Sequence, residues 1–343
     1  LLDVDELDFD AVKLDSADLL HDNIMHLTSS MIRGAIIAPP NRKLVVADLA
    51  NIEGRMLAWL AGETWKVEAF REGRDLYVEA YARAFQIDPA LVTSALRQIG
   101  KVMELALGYQ GGAGAFKTFA LAFGIDLDEL ARIAWDTLPI DLLAEATDFY
   151  EWLLKTNGDT RHMRREAFIT CDVFKRGWRN GHPAIATLWQ QMETTCLDAV
   201  DSPGQTFTCR KFKVRRDGAW LRIGLPSGRA LCYPSPQINE GKLSYMGVNQ
   251  YTRKWQRLTT YGGKLVENCT QAAARDVLAA PMPHIESEGF DILLTVHDEL
   301  ITETPDLPEY NASRLAAMMS SAPAWAEGLP LAAAGFESYR YRK

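Results

Sequence analysis

The chain has 343 residues, 48% of them apolar and 24% charged, and a formal net charge of −8. A chain of that length buries one large core or two smaller ones, and the composition is that of an ordinary globular protein. No apolar run nears the roughly 18 residues a membrane span needs. Five scattered cysteines lack the paired spacing of a disulfide frame or zinc site and fit reduced thiols in a cytosol.

Charge is unevenly spread. Asp3–Asp22 hold eight acids against one lysine, whereas Arg210–Lys264 hold twelve Lys and Arg against Asp217 and Glu240. The basic tract is interleaved with Phe212, Trp220, Tyr233, Tyr245, Tyr251 and Trp255. Such a tract suits a polyanion tracked along its backbone, and suits equally a solvated face with no partner.

In chain order, residues 1–19 read as an edge segment or a frayed start. Leu20, Ile24, Leu27 and Ile32 have helical spacing. Lys43–Ala47 is a short buried strand, and a helix runs from Asn51 to its closing glycine, Gly62. From Thr64 to about Val200 the pattern is almost wholly helical, with breaks at Asp88-Pro89, Gly111-Gly112, Leu138-Pro139, Asn157-Gly158 and His182-Pro183. Short strands with turns at Asp217-Gly218 and Pro226–Gly228 fill Gln205–Ser235. A long helix, Lys264–Leu278, follows Gly262-Gly263, and two strands, Ile292–Val296 and Leu300–Glu303, flank His297-Asp298-Glu299. The mixture predicts an α+β fold with its strand regions far apart in sequence.

Three segments carry chemistry. Asp298 and Glu299 stand where an apolar strand turns, and Asp48 ends the strand KLVVA, again with apolar residues behind it. Carboxylates at the ends of buried strands are costly unless a cation neutralises them. Each, taken alone, is also ordinary turn chemistry. Two such aspartates with open coordination suit two Mg²⁺ ions, which keep water and substrate phosphates as their remaining ligands. Between them lies the helix ALRQIGKVMELALGYQGG, where Arg97 and Lys101, four apart, share a face on which two cations can meet one triphosphate.

In this order the three segments resemble motifs A, B and C of the family A DNA polymerases. Motif A, Asp-aromatic-Ser-x-Ile-Glu-x-Arg in the family, stands here as Asp48-Leu49-Ala50-Asn51-Ile52-Glu53-Gly54-Arg55. Motif B is matched by Arg97, Lys101 and Tyr109, and motif C, Val-His-Asp-Glu, is matched without change at Val296–Glu299. The resemblance runs from about Leu20 to the C-terminus and is closest to a phage or prophage branch.

The resemblance implies a right-hand polymerase. Its palm, an antiparallel sheet with helices, would comprise residues 20–61 and 251–343, with mostly helical fingers inserted at 62–250. It implies template-directed DNA synthesis from dNTPs on a primer–template, in the cytoplasm, which for a phage protein is the host's. Asp48 and Asp298 would hold two Mg²⁺ ions, with Mn²⁺ as a substitute, assisted by the Leu49 carbonyl. Glu299 would be an auxiliary acid near the primer terminus. Arg97 and Lys101 would bind the triphosphate, Lys101 also donating a proton to pyrophosphate. Glu53 would exclude the sugar 2′-hydroxyl, and Tyr109 would pack near the templating base. Arg55, Gln271 and His297 would touch primer–template. A single-subunit RNA polymerase shares this palm, and Glu53 argues against it.

Three departures stand out. Leu105 occupies a motif B position that is usually Phe or Tyr and contacts the sugar. The stretch from roughly Gly124 to Val200 reads as inserted material. The thumb and proofreading exonuclease that family members place upstream have no counterpart here. That implies a fragment or half of a two-chain enzyme served by an upstream thumb/exonuclease chain, or a DNA-binding chain inactive by itself.

Overall fold

The computed structural model describes residues 6–341, which divide into two compact units, residues 6–52 with 274–341 and residues 53–273. The fold is α+β, as expected.

The first unit is built on a four-stranded antiparallel sheet of order β11-β1-β10-β9. Its strands are β1 (Arg42–Leu49), β9 (Asp291–Val296), β10 (Glu299–Pro305) and β11 (Ala333–Ser338). β1 reads as a continuous apolar run because both faces are covered. On one side Leu44 and Val46 pack with Ile301 and Tyr341. On the other, α14 (Ala312–Met319) lies against β1 and β11.

The strand before His297 departs from the sequence reading. β9 is the sheet edge rather than a buried strand, and Leu293, Leu294 and Val296 are exposed. A bulge explains the lost alternation: Ile301 pairs with Leu294 and the next residue, Thr302, with Ile292, so Leu293 is the extra residue. α13 (Met282–Ser287) packs beside this edge.

The N-terminal reading is also corrected. Of the stretch expected to be an edge or frayed start, the described part is helical, with α1 at Glu6–Lys13, and residues 1–5 lie outside the described residues. Ala11 and Ala17 pack with Leu27 and Met31 of α2 (Ile24–Gly34), which orders the acidic segment despite its charge. The Asn23 side chain accepts from His26 N and caps α2, setting its start later than Leu20.

The second unit opens with α3 (Ile52–Ala61), α4 (Thr64–Arg71), α5 (Leu76–Phe85), α6 (Ser94–Leu107) and α7 (Ala113–Ala122). There follow α8 (Leu127–Ala134), α9 (Ile140–Lys155), α10 (Arg165–Gly181) and α11 (Pro183–Asp201). α10 is the hub: Phe174 and Trp178 are fully buried, and Phe174 meets Phe85 and Phe116 at ring distances of 5.7 and 5.3 Å.

Two small antiparallel sheets come next. The first joins β2 (Thr206–Cys209), β3 (Phe212–Asp217), β4 (Trp220–Gly224) and β5 (Ala230–Pro234). The second joins β6 (Gln237–Asn239), β7 (Lys242–Val248) and β8 (Trp255–Thr259). α12 (Gly262–Ala279) begins at the two glycines expected to precede it. They are there for close approach: a Cβ at Gly262 would lie 1.9 Å from Trp189 O, and one at Gly263 2.4 Å from Tyr109 O.

A buried charge cluster ties α6 to its neighbours. Glu104 accepts from Lys66 of α4 and from Trp178 Nε1 at 2.9 Å, and His182 Nε2 lies 2.9 Å away. Burial alone would raise the Glu104 pKa, but Lys66 and His182 outweigh it and hold the carboxyl well below its usual range. Removing one partner strands a buried charge, so Glu104→Gln is expected to cost about 3–5 kcal/mol of unfolding free energy in denaturant titrations. Since folding depresses this pKa, its stabilisation is complete above about pH 4.5 and is lost as pH falls below that value. The acid limb of a stability–pH curve should therefore be shallower in Glu104→Gln than in wild type.

Candidate active site

Antiparallel register gathers the acids of the first unit. β1 pairs with β10 so that Asp48 faces Glu299, and Leu49 N donates to Asp298 O at 3.1 Å. His297-Asp298 forms the two-residue turn between β9 and β10, with His297 at a φ of 58°. A positive φ at the first turn position is what a tight hairpin of this hand demands. Asp48 and Asp298 are half-buried, backed by Leu44, Val45, Val46, Ala47, Leu300 and Ile301, none more than 1% exposed. His297 points into solvent, with Nδ1 3.6 Å from Asp298 Oδ1.

The donors here are hard oxygens. Among the described residues no group of three or more His, Cys, Asp or Glu is poised to hold a metal. Two carboxylates at a half-open strand end match an ion that retains water and substrate oxygens, as Mg²⁺ does, better than one needing a closed protein cage. Glu299, directly opposite Asp48 and only 2% exposed, is engaged by the core: its carboxylate accepts from the buried Tyr341 hydroxyl at 2.5 Å.

The second unit holds the remaining predicted residues. On α6 the two cations are seated on different neighbours. Arg97 Nε lies 2.6 Å from Asp75 Oδ2, with its guanidinium 5.2 Å from the Tyr77 ring centre, while Lys101 Nζ lies 4.4 Å from that of Phe123. Asp75 also caps α5 through Tyr77 N and Val78 N, so Arg97 shares its acid with a helix terminus. Leu105 is exposed.

Tyr109 and Glu53 do come together: the phenol donates to Glu53 Oε2 at 3.5 Å. Burial, reinforced by Glu53, pushes the Tyr109 hydroxyl far above its ordinary pKa, so it remains a donor throughout the working pH range. Arg55 sits with its guanidinium 4.4 Å from the Phe70 ring centre, and burial lowers its pKa. Gln271 is exposed on α12. The end of α6 is pinned by Gln110 Oε1, which accepts from Gly263 N at 2.8 Å.

Tyr341, Asp75, Phe123 and Gln110 were absent from the sequence reading as members of these clusters. Only the Gly262-Gly263 pair signalled one of them, through the close helix contact it permits.

Residues 22–131, which include Asp48 and all of α6, match the family model for DNA polymerase family A. The chain is 31% identical to the DNA polymerase of Bacillus phage SP02 over 338 residues, which is 96% of this chain and 46% of the phage protein. It is 37% identical over 98 residues to the thermostable DNA polymerase I of Thermus filiformis, 29% of this chain and 11% of that one. The chain thus spans less than half the length of these curated relatives. In fold it is similar to the solved POL domain of Pol1 from M. smegmatis, with a TM-score of 0.54 and 18% identity, covering 90% of this chain and 42% of that one. The resemblance read from the three motifs is borne out: the chain is similar to the family A DNA polymerases over residues 22–131 and to a phage DNA polymerase along nearly its whole length.

Proposed function

We propose that the chain is the nucleotidyl-transfer portion of a template-directed DNA polymerase, acting in the cytoplasm. The observation that carries this reading is the β1–β10 register, which pairs Asp48 with Glu299 and bonds Leu49 N to Asp298 O, so that both aspartates belong to one end of a sheet. The M. smegmatis structure is a complex with primer–template DNA and dNTP, and these are the substrates we assign. Family A polymerases use divalent metals, and the two aspartates offer the oxygen donors Mg²⁺ prefers. Mn²⁺ is a substitute with similar ligands. Residues 20–61 and 251–343 would form the palm and 62–250 the fingers.

Asp48 and Asp298 would hold the ions, with the Leu49 carbonyl assisting, and so fix where charge is neutralised. Mg²⁺ held there would supply Lewis acidity for the primer hydroxyl and the leaving pyrophosphate. Arg97 exchanges Asp75 for the triphosphate, and Lys101 leaves the Phe123 ring to join it and to protonate pyrophosphate. Glu53, positioned by Tyr109, excludes a 2′-hydroxyl, while Tyr109 packs near the templating base and Leu105 borders the sugar. Glu299, held by Tyr341, supports the strand end near the primer terminus. Arg55, Gln271 and His297 contact primer–template. Catalysis of this kind is positioning and electrostatic stabilisation more than covalent chemistry. An upstream thumb/exonuclease chain would add to the grip on the duplex. Among the described residues no helix is long and apolar enough to cross a membrane.

Primer extension tests the reading, with that upstream chain added as a second arm. Asp298→Asn should abolish extension, as should a chelator, while duplex affinity stays within a few-fold. A large loss of DNA binding in Asp298→Asn would instead make Asp298 structural. Wild type should use dNTPs well and NTPs poorly, and Glu53→Ala should narrow that gap. Equal use of both by wild type would sink the assignment.

A further inference from the structure

The basic tract of the sequence is divided between the two small sheets, and the first of them shows a face that the proposed catalytic residues leave unused. Alternation along its strands sends Phe212, Val214, Leu221 and Ile223 inward, all buried, against α11. The alternate residues Lys213, Arg215 and Arg222 point outward, with Thr206 and Thr208 of β2 on the same face. Register aligns them in rows: Thr206 opposite Arg215 opposite Arg222 opposite Cys232, and Thr208 opposite Lys213 opposite Gly224.

Arg215 and Arg222 are therefore direct cross-strand neighbours, 48% and 52% exposed. Like charges in that position destabilise a sheet. Among the described residues the one carboxylate on this face is Asp217, which serves both arginines, at 2.5 Å from Arg215 Nε and 3.8 Å from Arg222 Nε. Three cations against one acid leave a surplus of two on a flat surface, in a chain whose net charge is −8.

We infer that the outer face of β2–β5 binds the phosphate backbone of double-stranded DNA. Lys213 and Arg215 lie two residues apart on one strand, about 7 Å at ~3.4 Å per residue. That is twice the ~3.4 Å axial rise per phosphate on one DNA strand. Threonine hydroxyls beside the cations add uncharged donors of the kind that hold phosphate oxygens. Gly224 and Ala230 keep the floor beside Lys213 flat. A single strand would call for a row of aromatic platforms, and this face carries one aromatic side chain, Trp220. The identity of the polyanion rests on the polymerase reading.

The test is a salt series of duplex titrations followed by fluorescence anisotropy, comparing wild type with the triple variant Lys213→Gln, Arg215→Gln, Arg222→Gln. These side chains are exposed, and circular dichroism checks that the variant is folded. The slope of log K against log salt should become shallower by about 2.7, three contacts at ~0.9 each, and affinity near 0.1 M salt should fall at least tenfold. Equal slopes in the two proteins would overturn the proposal. So would a loss confined to single-stranded oligonucleotides. A second measurement uses the unaltered protein. Cys232 is the exposed cysteine, while Cys171, Cys196, Cys209 and Cys269 are buried. Duplex should slow alkylation of Cys232 several-fold, and an unchanged rate with duplex bound also counts against the proposal. Extension is assayed separately: wild type that binds duplex on this face yet extends no primer, even with the upstream chain added, defeats the polymerase reading alone, whereas extension with unchanged slopes defeats this inference alone.

Discussion

The antiparallel ladder between β1 and β10 is the constraint on which the acid site depends. It joins segments from opposite ends of the chain, and its register sets Asp48 opposite Glu299 with Leu49 bonded to Asp298. Because side chains alternate, a slip of one residue would exchange the two faces of β1. Leu44 and Val46 would leave the cluster they share with Ile301 and Tyr341, and Asp48 would lose its place. Apolar packing on both faces of β1 thus fixes the position of the carboxylates. Core and site are specified by one set of contacts.

In the second unit α6 has the corresponding role. Its inward side carries Glu104 into a buried cluster with Lys66, Trp178 and His182, which fixes rotation about the helix axis. That rotation decides where Arg97, Lys101 and Leu105 emerge. Its close packing depends on glycines: a Cβ at Gly100 would lie 2.1 Å from Tyr77 O. Both cations are parked on aromatic rings, and Arg97 also on Asp75. In the proposed reading, a triphosphate bound there would displace contacts already made. Cation–π contacts at exposed positions are worth about 0.5–1 kcal/mol, a modest cost beside the charge-assisted bonds that phosphate offers.

Net charge is a poor guide to partners when charge is segregated. In the first helix Asp10 faces water and Asp8 is buried against His21, beside a small apolar cluster, while the outer face of β2–β5 concentrates cations. An average of −8 hides both.

By itself, sequence determined the local elements and the identity of the acids. Lys43–Ala47 read as a short buried strand, and helical spacing from Ala95 onward placed Arg97 and Lys101 on a common side. Motif order did the rest, because three short patterns in a fixed order specify more than any one of them. Tertiary structure decided what periodicity cannot encode. It made β9 an edge, where a bulge at Leu293 broke the alternation, and it ordered the acidic start as a helix by packing Ala11 and Ala17 against α2. It buried Glu299 under the Tyr341 hydroxyl and turned Arg97 and Lys101 onto different neighbours. Each of these outcomes hangs on partners distant in sequence. Spacing along a chain fixes which residues can share a face, but the surfaces that meet it fix which of them are covered.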